Sequence, residues 1–206
     1  GGEAVDVPAT GAAAVEVKLV SGAGSMWVDD GATGDALLSG TVHVPGGGQL
    51  EQSTETLGDT TTVLLKTTGV VIMPIRFGAG EVWDIGLATD PTLRLSTEMG
   101  AGELHIDASG LNLESLGAST GAGEVEVRLP AGASSVTLSA AVGMLTVRVP
   151  AGTPVRLEAS SLAGNVEVPS GYERVGDAYL SPGFTAGNHI QIDASLVFGS
   201  ISVIED

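Results

Sequence analysis

Apolar residues alternate with polar or small residues along most of the chain, and this period of two predicts β-strands rather than helices. After Gly102 the apolar residues are Leu104 and Ile106, and the same two offsets are apolar after four later glycines. Those later glycines are Gly123, Gly143, Gly164 and Gly199. The pattern therefore predicts an all-β fold.

The glycines themselves recur at a nearly constant interval. The steps from Gly102 onward are 21, 20 and 21 residues, followed by one of 35. A second short strand precedes each glycine, as at Leu116 and Leu157, so each glycine is predicted to form a corner. A repeat of two strands and a corner predicts a β-solenoid, a single-stranded β-helix-like stack of coils of about 21 residues.

The N-terminal part, residues 1–80, is less regular. It is predicted to form a β lobe continuous with the solenoid repeats of residues 81–206. Its predicted strands are residues 14–20, 26–29, 41–44, 61–65 and 69–75. The Gly-Ala-Gly at 78–80 breaks the phase of the repeat, because Trp83, Ile85 and Leu87 form the alternating set after it and Asp84 faces outward.

The 35-residue step contains an insertion at about residues 170–188, which is predicted to cap the exposed strands at the end of the solenoid. It carries Tyr172, Tyr179 and Phe184, three of the five Tyr and Phe residues of the chain. Two interpretations stay open. The rings form a lid over the last coils, or they form a loop that binds sugars or a protein partner.

The charge balance limits the classes of partner. The chain has 25 acidic and 8 basic residues and a formal net charge of −17. This charge argues against nucleic-acid binding and against attraction to an anionic lipid surface. There is no cysteine, so disulfides and cysteine-based chemistry are excluded. No apolar stretch approaches the roughly 20 residues of a membrane span, and an anchor in a precursor stays open.

Two groups of acidic residues are candidate sites. Asp29, Asp30 and Asp35 lie in a glycine-containing loop and are candidate calcium ligands, although their spacing matches no defined calcium loop and a solvated turn is the alternative. Glu103 and Glu124 follow the corner glycines of successive repeats. They are predicted to lie side by side, either as an acidic pair of the kind that processes polysaccharides or as a row of solvent-facing carboxylates.

Several runs of residues carry a family resemblance. They are residues 83–87, 91–95, 100–107, 111–113, 121–127 and 171–183, and the likeness extends from about Val15 to Val203. The chain resembles the bacterial toast-rack proteins, which are similar to the C-terminal domain of cell-wall-active antibiotic response (LiaF-like) membrane proteins and to adhesin-like proteins. The resemblance implies a β-solenoid-like domain outside a bacterial membrane, linked with envelope stress, and it brings no family-wide catalytic residues.

The function expected from these observations is that of a non-enzymatic, extracytoplasmic envelope protein without a cofactor. Its role would be a scaffold, adhesion-like or stress-related binding role, and its partner a protein or glycan of the cell envelope. The alternative is a polysaccharide-binding or polysaccharide-processing β-helix protein.

Overall fold

The computed structural model describes residues 2–69, 80–132 and 134–206, and it confirms the all-β prediction. The strands of these ranges are β1 (Glu3–Pro8), β2 (Ala14–Asp29), β3 (Ala36–His43), β4 (Gln49–Leu57), β5 (Thr60–Thr68), β6 (Glu81–Leu87), β7 (Thr92–Asp107), β8 (Leu113–Arg128), β9 (Ser135–Val149), β10 (Val155–Glu167), β11 (Glu173–Val175), β12 (Ala178–Leu180) and β13 (Ile190–Glu205). The described ranges contain no helix of a length and apolarity that would cross a membrane.

All of these strands join one mixed sheet. Its centre consists of parallel strands in the order β2-β7-β8-β9-β13-β10. The repeat predicted that successive copies would be neighbours, but β13 lies between β9 and β10. The outer edge of β10 is paired with β12 instead, over Arg156–Glu158. The chain therefore returns from the β11–β12 hairpin and fills the position beside β9.

The corner glycines differ from the prediction in one respect. Two short strands were expected around each glycine. Instead, β7 continues through Gly102 and β8 continues through Gly123, each as one strand of 16 residues. The reason is that the glycines are in register, with Gly102 opposite Gly123 and Gly123 opposite Gly143. Gly123 has a φ of 138°, and a Cβ there would collide with the carbonyl oxygen of Gly102.

The N-terminal region joins the same ladder through β2. One side of β2 pairs with β7, while the other pairs first with β5 and then with β6. The predicted strands 14–20 and 26–29 are thus two halves of β2, and β1 and β4 were not predicted. The predicted strand 69–75 and the Gly-Ala-Gly at 78–80 fall largely on residues 70–79, outside the described residues. The boundary near residue 80 stays a prediction, and the pairing between β2 and β7 is continuous across it.

The core is built from both halves of the long strands. Leu116 precedes the corner Gly123 and Val125 follows it, and both belong to one buried hydrophobic cluster. In β6, Trp83 and Ile85 are fully buried while Asp84 is exposed, as the alternation predicted. Buried apolar side chains therefore alternate with exposed polar ones along these strands.

Candidate functional site

The three predicted calcium ligands lie on the surface near the end of β2. Asp29 Oδ1 accepts a hydrogen bond of 2.8 Å from the backbone N–H of Gly31, which is the geometry of a short polar turn. Asp29 and Asp30 line one groove, and Asp30 also lines a second depression together with Asp35. Among the residues that the structure describes, no three His, Asp or Glu side chains form a group that could hold a metal ion. The calcium hypothesis gains no support from this arrangement.

The predicted acidic pair is placed side by side on neighbouring strands. Glu103 of β7 lies opposite Glu124 of β8, and Met144 of β9 is the next residue along the row. A shallow trough runs along these residues and the corner glycines. The proximity of the two carboxylates agrees with the prediction, while their role in binding or processing a ligand stays a prediction.

The aromatic insertion lies at the outer edge of β10. Tyr172 and Tyr179 are half-buried and pack against the hydrophobic core, and Arg174 lies over the Tyr179 ring at 5.7 Å. Phe184 is half-buried and contacts His189 edge-on. Burial raises the pKa of the Tyr172 phenol, and the Glu205 carboxylate raises it further. These contacts are those expected of a lid, and ligand binding by this segment stays a prediction.

Raising the pH above about 10 should destabilise the protein through Tyr172. Its pKa in the folded state lies above the ordinary value of 10.0, so the folded protein holds a proton that the unfolded chain releases. Stability is therefore complete below that pH and declines above it. We expect the free energy of unfolding of Tyr172→Phe, measured by urea titration, to fall less steeply between pH about 9 and pH about 11. Equal slopes for the two proteins would contradict the burial of this hydroxyl.

A row of polar side chains on the outer face was not predicted as a site. Trp27 of β2, His105 of β7 and Glu126 of β8 lie directly beside one another. The indole and imidazole rings are stacked, with centroids 4.1 Å apart and planes at 12°. Trp27 is nevertheless 51% exposed. His105 covers one face of the indole, and Asp84 of β6 is the neighbour of Trp27 on the other side of β2.

An ion-pair network continues the row toward the end of β9. Arg148 Nε donates a hydrogen bond of 2.6 Å to Glu126 Oε1, and its Nη1 donates one of 3.0 Å to Asp206 Oδ1. Arg128 Nη2 lies 3.1 Å from the other oxygen of Asp206. The Arg148 hydrogen bond lowers the pKa of Glu126 against an opposing effect of burial. The Glu126 carboxylate is therefore a charged acceptor held in place by a guanidinium.

These side chains line an open groove with a volume of about 360 Å³. Its lining combines an aromatic ring, carboxylates and guanidinium groups, and it consists of Trp27, Val28, Asp29, Asp30, His105, Ile106, Asp107, Glu126, Arg128 and Arg148. A volume above roughly 300 Å³ is in the range of small-ligand sites. Carboxylate acceptors and guanidinium donors beside an exposed ring match a polyhydroxylated ligand, which offers hydroxyl groups at its rim and C–H groups on its faces.

The sequence contained a signal for only part of this groove. Met26 and Val28 are buried, so the alternation alone places Trp27 outward, and a large exposed aromatic side chain is a candidate binding residue. The contact between Arg148 and Asp206 had no such signal. The two residues are 58 positions apart, and they meet only because β13 is inserted beside β9.

The carboxylate of Glu81, which was not predicted as a site, is buried where β2, β5 and β6 meet. Glu81 is 1% exposed and accepts hydrogen bonds from Ser21 Oγ at 2.8 Å, Trp83 Nε1 at 2.8 Å and Thr67 Oγ1 at 3.0 Å. The backbone N–H of Gly22 donates a fourth hydrogen bond at 3.1 Å. This carboxylate joins three strands beside the corner of β2, and its inward position follows from sharing the phase of Trp83.

Replacing Glu81 with alanine should destabilise the protein by about 2–3 kcal/mol, because buried donors lose their acceptor. Chemical unfolding at neutral pH measures this change. Glu51→Ala is the matched control, since Glu51 is exposed and accepts one hydrogen bond of 3.2 Å from Thr68. The control should change stability by less than about 0.5 kcal/mol. Equal effects of the two substitutions would show that Glu81 does not join the strands.

Comparison with known proteins agrees with this architecture. The family model described as the N-terminal domain of toast_rack, DUF2154, matches residues 2–148. The solved structure of a "putative cell adhesion protein" from Clostridium sporogenes has a TM-score of 0.88 and 20% sequence identity, covering 100% of this chain and 99% of that one. No curated protein matches the chain. The structural likeness shows a shared fold, and because the family model matches more than half of its residues, the chain belongs to the toast-rack family.

Proposed function

We propose that this protein is a non-enzymatic, adhesion-like binding scaffold of the bacterial cell envelope, acting outside the cytoplasm, and that its outer groove recognises a glycan. The observation that carries the proposal is the exposed indole of Trp27 in the same groove as the Glu126–Arg148 ion pair. His105 lies between the indole and the ion pair in this row. An oligosaccharide that lies along the row can therefore contact the indole with one sugar and exchange hydrogen bonds with the ion pair through the next.

The charge of the groove narrows the class of glycan. Four carboxylates and two guanidinium groups belong to its lining residues, and the whole chain has a net charge of −17. A phosphorylated or uronic-acid polymer would be repelled by this field. We therefore favour a neutral or amino-sugar polymer of the envelope. The fold shared with a protein named for cell adhesion supports a location at the cell surface.

Polysaccharide processing is the second candidate, and the adjacency of Glu103 and Glu124 favours it. Paired carboxylates flank the scissile bond in most glycoside hydrolases. Against this candidate, Glu103 is exposed and the trough along both residues is shallow and lined by glycine, alanine and Met144. General acid chemistry is aided by a desolvated carboxyl group, which the exposed Glu103 does not provide and the half-buried Glu124 provides only in part.

A glycan array of envelope polysaccharides, followed by analysis of products, tests the proposal. Binding without product formation is expected, and Trp27→Ala should weaken it about tenfold, the value of one aromatic contact. Leu57→Ala is the matched control, because Leu57 is 73% exposed on β4 and lies outside the groove lining. It should leave the affinity unchanged.

Two outcomes would contradict the binding role. The first is an absence of binding to any neutral or amino-sugar polymer of the array. The second is the release of shortened products. If Glu103→Gln with Glu124→Gln abolished that release, the acidic pair would be the reactive site and the protein an enzyme.

We infer further that the long strands wind into coils at their glycines, as the β-solenoid prediction requires. The connection from Arg128 to Ser135 spans at most about 25 Å, and Ser135 is paired beside Ser115 at the start of β8. A straight strand from Ser115 to Arg128 would be about 43 Å long. A return of β8 at Gly123 removes this mismatch and supports the coil.

A further inference from the structure

The corner formed by β9, β13 and β10 carries an exposed apolar surface. Among the described residues, nine large apolar side chains are exposed, and five of them lie on these three strands. They are Val142, Met144, Leu162, Val197 and Phe198. Leu162 is 80% exposed and Phe198 is 51% exposed. Such clustering differs from the scattered exposed apolar residues of ordinary surfaces. We name these five residues the apolar corner.

The geometry of the bend explains why these side chains are exposed together. Val142 lies opposite Phe198, and Phe198 lies opposite Ala163 of β10. Alternation along each strand would bury every second residue, yet consecutive pairs such as Val197 and Phe198 both face solvent. Where a strand turns at a glycine, consecutive side chains on the convex side of the bend both point into solvent, because neither has a buried face to pack against.

The apolar corner is also free of charge, although the protein is strongly acidic. Residues 135–147 of β9, 159–166 of β10 and 194–204 of β13 contain no Asp, Glu, Lys or Arg. In contrast, the corners of β7 and β8 carry Glu98, Glu103 and Glu124. A chain with a net charge of −17 therefore has one surface of adjacent strands without charged side chains, bordered by Glu124 opposite Met144. A second acidic molecule meets less repulsion there than on the acidic strands β7 and β8.

We propose that the apolar corner is a self-association surface that joins two copies of this chain. A two-fold interface places the same patch on both partners, so the patch must be compatible with itself in charge and in polarity. The apolar corner satisfies both conditions, and the acidic faces of β7 and β8 then remain in water. An anionic lipid surface would be repelled by the net charge, and a charged protein partner would find no charged groups there to pair with. The groove at Trp27 lies outside the apolar corner, so this inference is independent of glycan binding.

Sedimentation equilibrium from about 1 µM to about 1 mM protein tests the proposal. The wild-type chain should reach twice its mass of 20.5 kDa. Added salt should strengthen the dimer, because it screens the repulsion between two acidic chains. Leu162→Glu and Phe198→Glu should each weaken association tenfold or more. Leu57→Glu, which places the same charge at an exposed apolar position on β4, should dimerise as the wild type does.

A thermal unfolding curve confirms that each variant is folded, and Leu162 is so exposed that its charged variant should keep the fold. The proposal is overturned if the wild type stays monomeric over the whole concentration range. It is also overturned if Leu162→Glu and Phe198→Glu dimerise as tightly as the wild type. The proposal is overturned as well if the wild-type protein is a monomer that floats with neutral phosphatidylcholine vesicles and the Phe198→Glu variant does not float. That result would assign the surface to a membrane.

Discussion

Replacing Gly123 with alanine should destabilise the protein by about 4–5 kcal/mol, among the largest effects of a single substitution. Gly123 has a φ of 138°, which strains any residue with a Cβ. The added methyl group would also collide with the backbone of Gly102. Relief would require the two neighbouring strands to move apart, which breaks the ladder on which the corner depends. Urea or guanidinium unfolding followed by circular dichroism measures the change.

Gly117→Ala is the matched control on the same strand. Gly117 lies in β8 six residues before Gly123, has no positive φ and has open space around the position of a Cβ. Alanine there restricts the unfolded chain and should stabilise the protein by up to about 1 kcal/mol. If the two substitutions had similar effects, the corner glycine would have no special role in the fold.

Deleting residues 190–206 should abolish cooperative folding. These residues form β13, which fills the position between β9 and β10. Five large side chains of β13 are buried, and at about 1.5–3 kcal/mol each they contribute about 8–15 kcal/mol. These five are Ile190, Ile192, Leu196, Ile201 and Val203. The loss equals the whole stability of an ordinary domain, which is about 5–15 kcal/mol. Differential scanning calorimetry should show no unfolding transition.

Deleting residues 2–8 is the control for this truncation. They contain β1, which among the described strands pairs with β3 alone, at the edge of the sheet. Val5 and Val7 are its buried side chains, so the expected loss is about 3–6 kcal/mol. A cooperative transition at lower temperature should remain. A transition that survived the loss of β13 but not the loss of β1 would contradict the observed strand order.

The local structure could be predicted from the sequence because it depends on short-range patterns. Alternation placed Leu104 and Ile106 inward, and both are buried. The interval between glycines predicted which residues are neighbours, and Glu103 does lie opposite Glu124. The first pattern arises because side chains alternate between the two faces of one strand, and the second because no Cβ fits where the glycines of neighbouring strands lie in register.

The spatial order of the strands could not be predicted in this way. Nothing in the spacing between Gly164 and Gly199 indicates that β13 pairs with β9 as well as β10. Every repeat presents a similar parallel edge, so the pattern of one strand does not select its neighbour. The β11–β12 hairpin occupies the edge of β10 and thereby determines the order through contacts distant in sequence.

In the candidate site, too, some contacts follow from local sequence patterns and others depend on the order of the strands. Trp27 and His105 face outward by alternation, and the register of the repeats brings them together. Arg148 meets Asp206 because of the strand order, so the ion pair that fixes Glu126 had no local signal. Glu81 lies two residues before Trp83, and alternation therefore places it on the same buried side, where four donors satisfy it.

A distance measured within one strand tests the central claim most directly. Each long strand is proposed to wind back at its glycine, so that both halves enclose one core. The chain has no native cysteine, and Ser115→Cys with Arg128→Cys allows spin labels at both ends of β8. Double electron–electron resonance should give a distance below about 30 Å, since a connection of at most about 25 Å leads from Arg128 to the strand beside Ser115. A distance near 43 Å, the length of a straight strand, would contradict the winding and with it the account of the fold.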